Sequence, residues 1–272
     1  MKTVYNIPLT PSEASGANLL IEIGSAGLSL CWTTHHPTTV KGVCIYTFDE
    51  NEPIMGAVKD ILNSTKVNDL KYESVTISYN FKESLLVPAN YYKPALHEEM
   101  LSLVYGHLMN VTIKADEINA KNIYNVYSIP TEIDLLLEET FPLSNRFHSN
   151  SKQIQSSDKN NTLFCSIFYD SIKVILFKNE GLEIVQQYKF NTPENVVYHL
   201  LNICQQHNVT VEEITLAISG MITEDSQLYK QLYNYFINIE FDKIPDSISI
   251  DEKMQFLPSH FLRHLTILAS CE

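Results

Sequence analysis

One arrangement of strands is written twice in this chain. Residues Asn18 to Phe48 read as a β-hairpin and a third strand, NLLIEIGSAGLSLCW followed by VKGVCIYTF. Residues Thr162 to Phe190 read the same way, TLFCSIFYD followed by IKVILFKNEGLEIVQQYKF. Each block leads into an amphipathic helix and one more apolar strand, ESVTISYN in the first half and EITLAISG in the second. The offset between the copies is roughly 140 residues, far beyond the period of a stacked solenoid. Strands that alternate with crossover helices make an α/β protein, here of two related lobes expected to face each other across a cleft.

The local signals fill in that plan. The first hairpin is predicted over Leu19–Ile23 and Leu28–Thr33, with Gly24-Ser25-Ala26-Gly27 at the turn, where both glycines can take a positive φ. Pro53 opens a helix whose Ile54, Val58, Ile61 and Leu62 share one face. After a strand at Ser74–Tyr79 the spacing predicts a helix from Pro94 to Leu108 with Leu96, Met100, Leu103 and Val104 inward. A strand at Ile123–Ile129 and a helix from Thr131 follow. The stretch SNRFHSNSKQIQSSDKNN, rich in Ser, Asn, Lys and Gln, marks 144–161 as a polar linker or edge strand between lobes spanning 1–143 and 162–272. In the second lobe Thr192-Pro193 opens a helix to His207, the strand Ile214–Ser219 ends at Gly220, and helices follow at 225–236 and 259–269.

Charge narrows the partners. A net charge of −13 over 272 residues disfavours nucleic acid and anionic membrane, both of which select a basic surface. The five cysteines are scattered, with no C-x-x-C pair, as expected in a reducing compartment. The N-terminal stretch lacks the apolar core of a secretory signal, and no run approaches the ~18 apolar residues that insert across a bilayer. A cytoplasmic protein is expected.

The duplicated lobe of hairpin, third strand, helix and strand resembles the actin-like ATPase fold of sugar kinases, heat-shock chaperones and bacterial actins, a member of the ribonuclease-H-like class. The resemblance implies two lobes, each with a mixed sheet and flanking helices. It also implies that the two hairpin turns would hold the phosphates of Mg-ATP and that a glycine turn after a late strand would back the adenosine. The first phosphate loop of that fold reads aspartate–apolar–glycine–threonine; here it is Glu22-Ile23-Gly24-Ser25, with glutamate in place of aspartate. Read on the residues alone, the same stretch is a plain hairpin turn with Glu22 a polar edge residue. The second loop corresponds to Ser166-Ile167-Phe168-Tyr169-Asp170-Ser171, which has no glycine and puts two rings where a polyphosphate must touch backbone. Of the adenosine glycines only Gly220 has a counterpart. The candidate nucleotide-binding residues are therefore Glu22, Gly24, Ser25, Asp170, Ser171 and Gly220, with no intact catalytic set among them.

More closely, the chain resembles an uncharacterised bacterial family, a domain of unknown function with a degenerate actin-like fold. The polar mid-chain segment, the aromatic-rich second hairpin, and Pro258-Ser259-His260-Phe261 leading to Cys271-Glu272 carry this resemblance. A non-catalytic binding or scaffold module is expected, taking another protein or a small ligand in the interlobe cleft. The alternative is a nucleotide-dependent ATPase or phosphotransferase with atypical loops, using ATP and magnesium. Tyr91, Tyr92, Tyr229, Tyr233 and Phe236 are candidate contact residues, since aromatic rings supply contact area at low entropic cost. A two-metal nuclease is disfavoured, because Glu22 is the only acid on a predicted central strand. His260 and His264 stand four apart on a predicted helix, but no Glu or Cys nearby completes a metal set.

Overall fold

The computed structural model describes residues 1–14, 16–35, 38–49, 52–157 and 160–269. The chain divides into two compact units. The first holds Met1–Gln155, Asp246–Gln255 and the chain end from Leu268; the second holds Ser156–Pro245 and Phe256–Ile267.

The first unit opens with β1 (Lys2–Ile7) and the single-turn α1 (Pro11–Ala14). The meander β2 (Asn18–Gly24), β3 (Gly27–Thr34) and β4 (Thr39–Thr47) follows, then α2 (Ile54–Thr65) and β5 (Val75–Asn80). A three-stranded antiparallel sheet comes next in sequence, made of β6 (Ser84–Pro88), β7 (Val111–Ile118) and β8 (Ile123–Pro130) in the order β6-β8-β7. It is crossed by α3 (His97–Tyr105) and followed by α4 (Thr131–Thr140), β9 (Asn145–His148) and α5 (Ser149–Ser156). The main sheet runs β1-β4-β3-β2-β5-β9, antiparallel through the meander and parallel from β2 to β5 to β9. Every residue of β2 is buried, which is why the strand reads as an almost unbroken apolar run. Val58, Ile61 and Leu62 of α2 pack on Leu19, Ile21 and Ile23, so the face predicted for this helix is the one it buries.

The structure corrects the reading of α3. Pro94–Leu96 forms a separate 3₁₀ turn, and the helix proper starts at His97. Its two and a half turns present a single narrow stripe, Leu101 with Met100 and Tyr105, to the small sheet. Leu103 and Val104 point to solvent at 86% and 57% exposure. The polar segment 144–161 contributes the edge strand β9 and the helix α5, and it buries His148, Ser149, Ser151, Gln153 and Ile154.

The second unit repeats the first. Its meander is β10 (Thr162–Ile167), β11 (Ser171–Lys178) and β12 (Gly181–Lys189). Then come α6 (Pro193–Gln206), β13 (Thr215–Gly220), α7 (Gln227–Tyr233) and β14 (Asn238–Phe241). The sheet order β12-β11-β10-β13-β14 matches β4-β3-β2-β5-β9 strand for strand. A capping box between Thr192 and Asn195, with Pro193 in the first turn, starts α6 where the sequence places it. Leu228, Leu232 and Phe236 are buried, so Phe236 belongs to the core and is withdrawn as a contact residue. The chain then returns to the first unit as β15 (Ser249–Ile250), which pairs parallel with β4, and its described part ends with α8 (Arg263–Ala269).

Two local features carry direct consequences. The four described cysteines, Cys31, Cys44, Cys165 and Cys204, are buried free thiols, and burial pushes Cys31 and Cys165 up to about 12. Cys271 and Glu272 lie outside the described residues. The β11–β12 turn places Asn179 and Glu180 at φ 50° and 64°. Asparagine tolerates this left-handed conformation and glutamate does not. Glu180→Gly is expected to raise stability by about 0.5–1 kcal/mol, read as a higher urea midpoint at unchanged slope.

Candidate functional site

The first hairpin turn is tighter than its sequence suggests. Gly24 and Gly27 are the last paired residues of the β2–β3 ladder, leaving Ser25 and Ala26 as the turn. Neither glycine takes a positive φ; among described glycines only Gly16, Gly106 and Gly220 do. Glycine is needed here for approach rather than for handedness. A Cβ on Gly24 would stand 2.4 Å from the Asn80 carbonyl oxygen, and one on Gly27 would stand 2.2 Å from that of Tyr46. Ser25 is exposed at the tip.

Glu22 is not an edge residue. It sits on β2 between Ser29 of β3 and Ser78 of β5, and only 6% of it is exposed. The Ser78 hydroxyl is buried with no hydrogen-bond partner. Acidic residues are seldom buried in the middle of a sheet, and Glu22 is an exception in this one.

In the second unit the matching turn is closed on itself. The Phe168 N–H donates to the Ser171 carbonyl at 2.8 Å, and the Asp170 carbonyl accepts from the Phe190 N–H at 3.0 Å. Ser171 is buried as the first residue of β11, and Tyr169 projects with 59% exposure. One carboxylate oxygen of Asp170, Oδ1, is shielded from solvent without a hydrogen-bond partner. Gly220 ends β13 opposite Ile167, the residue that leads into this turn. Its φ is +81°, and a Cβ there would lie 2.1 Å from the Ile167 carbonyl oxygen. That carbonyl accepts from the Met221 N–H at 2.8 Å. Beside it Ser166 and Ser219 face each other with hydroxyls 3.0 Å apart. Asp170, Ser171 and Gly220 therefore share one end of the second sheet, as Glu22, Gly24 and Ser25 share one hairpin of the first.

A polar cluster that the sequence reading did not find lies inside the first unit. Asp116 of β7 accepts from the Tyr127 hydroxyl at 3.0 Å, the His148 N–H at 2.7 Å and the Ser151 hydroxyl at 2.6 Å. Burial raises its carboxyl above the ordinary 3.8, while these three bonds pull the other way. Ser151 in turn accepts from Asn125, whose carbonyl accepts from Ser84. His148 donates from Nε2 to the Phe81 carbonyl and accepts from the Asn150 N–H at Nδ1, which fixes a neutral ring. Nearby, Asp134 accepts from Tyr79 at 2.8 Å and from Lys114 at 2.6 Å. The carboxylates push both tyrosine hydroxyls upward, after burial itself. The cluster joins the small sheet to β5, β9 and α5 with its polar groups matched to one another. The signal for it was the alternation of Lys114 and Asp116 with apolar residues in VTIKADEI, a strand the sequence reading left out.

The other candidates resolve individually. His260 donates from Nε2 to the Ile222 carbonyl at 2.7 Å and stacks on Phe241, and burial lowers its basicity. His264 packs edge-on against Phe168. Among the described residues no group of three His, Cys, Asp or Glu could hold a metal ion, and no helix is long and apolar enough to cross a membrane. Tyr92 stacks on Tyr124 and Tyr229 on Phe241, which leaves Tyr91 and Tyr233 as the exposed tyrosines of the predicted set, at 68% and 67%. A cavity of about 250 Å³ opens in the first unit between Leu70–Val75 and Thr140–Ser144, at the opposite end of β5 from Gly24.

Two sheets that share a five-strand order, with paired hairpin turns, mark a duplicated fold, and comparison with known families identifies it. The model of a family described as protein of unknown function (DUF3822) matches residues 7–239. The chain belongs to the DUF3822 family. No curated protein matches it. Among solved structures, this DUF3822 chain is similar to a Bacteroides thetaiotaomicron protein with an actin-like ATPase fold and unknown function. The TM-score is 0.79 at 15% identity, over 97% of this chain and 99% of that one. It is also similar to a structure of the PilM–PilN type IV pilus biogenesis complex, with TM-score 0.58, 12% identity, and coverage of 93% and 98%. A third is the cytoplasmic domain of EpsL, an inner membrane component of the type II secretion system of Vibrio cholerae. There the TM-score is 0.50 at 12% identity, over 94% of this chain and 95% of that one. The DUF3822 chain thus has the actin-like ATPase fold, with a mixed sheet and flanking helices in each half.

Proposed function

We propose that this chain is an actin-like binding or scaffold module that engages another protein or a small ligand and does not turn over ATP. The observation that carries the proposal is the closed β10–β11 turn. A phosphate loop works by offering free backbone N–H groups on a glycine-rich curve. Here the Phe168 N–H is committed to the Ser171 carbonyl, and Phe168 and Tyr169 occupy the positions where glycines would allow approach. The fold's relatives support the partner side of the reading: PilM is described in complex with PilN, and EpsL is a component of a secretion system. Tyr91 and Tyr233 are the contact residues we put forward, one in each unit.

The alternative, a nucleotide-dependent ATPase or phosphotransferase, is favoured by the central burial of Glu22 and the shielded, unbonded Oδ1 of Asp170. Thermal unfolding with ATP, ADP or GTP, each with and without magnesium, separates the two. A ligand present at 100 times its Kd adds about 2.7 kcal/mol, which is several degrees. The expected outcome is a melting temperature unchanged within about a degree at millimolar nucleotide. A magnesium-dependent rise that disappears in Glu22→Ala and Asp170→Ala would reinstate the alternative.

A further inference from the structure

The two sheets of this duplicated fold differ at one edge. In the first unit the third meander strand, β4, is covered: β1 pairs with it antiparallel from Lys2↔Thr47 to Ile7↔Val43, and β15 adds to its other end. In the second unit the equivalent strand, β12, ends its sheet among the described residues. It is nine residues long, contains no proline, and has no buried residue, with Glu183, Gln186 and Lys189 exposed and Ile184, Val185, Gln187 and Tyr188 half-buried. Its blunting devices, the bulge at Glu183 and the charge of Lys189, stand toward the two ends, and the regular stretch Ile184–Tyr188 between them carries no charge, so its outward N–H and C=O groups are a template for another strand. We propose that β12 is a homodimer interface, at which the β12 strands of two copies pair antiparallel about a two-fold axis at Gln186 and join their sheets. The proposal is independent of whether the chain binds a nucleotide.

Three observations select this occupant and register. The first is backbone parity. The Phe190 N–H bonds inward to the Asp170 carbonyl, and the ladder is regular from Ile184↔Leu176 to Lys189↔Ser171. Alternate residues of an antiparallel strand bond to opposite sides, so Val185 and Gln187 present their N–H and C=O groups outward. Centring the axis on Gln186 pairs Val185 with Gln187 of the second copy, and Gln187 with its Val185. Both members of each pair then point across the interface. The second is side-chain matching. Ile184 and Tyr188 lie on the core face of the sheet, and this register sets each against the other residue type in the second copy, a favoured β-branched–aromatic pair. The third is charge. The strand's two charged residues stand toward opposite ends, Glu183 at a bulge and Lys189 at the last position. Antiparallel self-pairing therefore brings an acidic end to a basic end twice, and no like charges face each other. Glu183 meanwhile stays within 3.3 Å of His207. On the core face, Tyr198 of α6 is 65% exposed beside His199, which stacks on Tyr188; a second α6 across the axis would cover it.

Sedimentation equilibrium and cysteine crosslinking test the idea on the full chain. Wild type is expected to sediment as a dimer across the micromolar range. Val185→Pro removes an outward N–H that an edge strand can lose without unfolding, and is expected to weaken the dimer at least roughly tenfold with unchanged circular dichroism. In a Cys271→Ser background, Gln186→Cys should crosslink to itself under mild oxidation, because the axis brings that residue opposite its own copy. Lys189→Cys should not, because its partner position is Glu183. This pair of variants decides the register even if the proline variant misfolds. A monomeric wild type, a dimer indifferent to Val185→Pro, or crosslinking equal at both positions would overturn the proposal. Monomeric behaviour would leave the edge to a strand from a different protein.

Discussion

Gly220→Ala is expected to destabilise the second unit by about 3–5 kcal/mol, enough to leave much of the protein insoluble at ordinary growth temperature. Two costs add. Alanine at φ +81° occupies a backbone region that L-residues avoid, at about 1–2 kcal/mol. Its methyl would also sit 2.1 Å from the Ile167 carbonyl oxygen and 3.0 Å from that residue's carbon and nitrogen. All three are backbone atoms in a ladder, so no side chain can swing away to relieve the overlap. Relief would require parting β13 from β10 or breaking the bond from the Met221 N–H to the Ile167 carbonyl. Gly56→Ala is the control: nothing lies within 4 Å of a Cβ there, and the residue is helical. That substitution should stabilise by about 0.5–1 kcal/mol. Urea titrations of the two variants, followed by circular dichroism, should therefore move in opposite directions. Equal midpoints would show that β13 has room to shift.

The Gly220 result bears on function. The resemblance to the actin-like ATPase fold implied that Gly220 would correspond to a glycine of the turn behind adenosine. In the structure its glycine identity follows from β13 meeting β10, with or without a ligand. The same holds for Gly24 and Gly27, whose missing side chains make way for the carbonyls of Asn80 and Tyr46. Two of the candidate nucleotide-site residues, Gly24 and Gly220, are accounted for by close backbone approach alone. Glu22 and Asp170 are not, and these two residues are where a titration with nucleotide has discriminating power.

The legible part of this fold was the part whose burial is written in an unbroken code. Strands β2, β10 and β13 are covered on both faces, so their sequences are mostly apolar, and α2 and α6 show one apolar stripe each. What could not be read were elements recruited by an existing edge. β1, KTVYNI, is largely exposed and becomes a strand because β4 offers a ladder. β7 escaped for another reason. Its Ile113 and Ala115 face the α3 side, while Lys114 and Asp116 meet Asp134, Tyr127 and Ser151. A period-two pattern normally means that the polar face is wet, and here that face is covered by matching polar groups. The first hairpin turn was located correctly, whereas the second falls at 168–170, with Ser171 already in β11, rather than at Asp170-Ser171; whether its N–H groups are free depends on bonds such as Phe168 to Ser171, which composition does not specify.

Asp116→Ala tests that covered polar face, and a loss of about 3–5 kcal/mol is expected. The substitution strands the Tyr127 hydroxyl, the His148 N–H and the Ser151 hydroxyl, each costing about 1–3 kcal/mol when buried without an acceptor, less whatever an entering water restores. The pH dependence has a definite sign. Burial holds the folded-state pKa of Asp116 above 3.8, so folding favours its protonated form. Its contribution is fully present below the unfolded value and is lost as pH rises through the folded one. The charged carboxylate thus opposes folding near neutrality while its three hydrogen bonds support it. Asp116→Asn keeps an acceptor but sets an amide N–H₂ against one donor, and it cannot ionise. Stability should therefore fall by about 1–2 kcal/mol at acidic pH, and the deficit should shrink as pH rises from about 4 toward 7. Urea midpoints of wild type and Asp116→Asn across that range measure the difference directly. A deficit that grows with pH would mean that the ionised carboxylate is the form the fold prefers, with the hydrogen bonds outweighing burial.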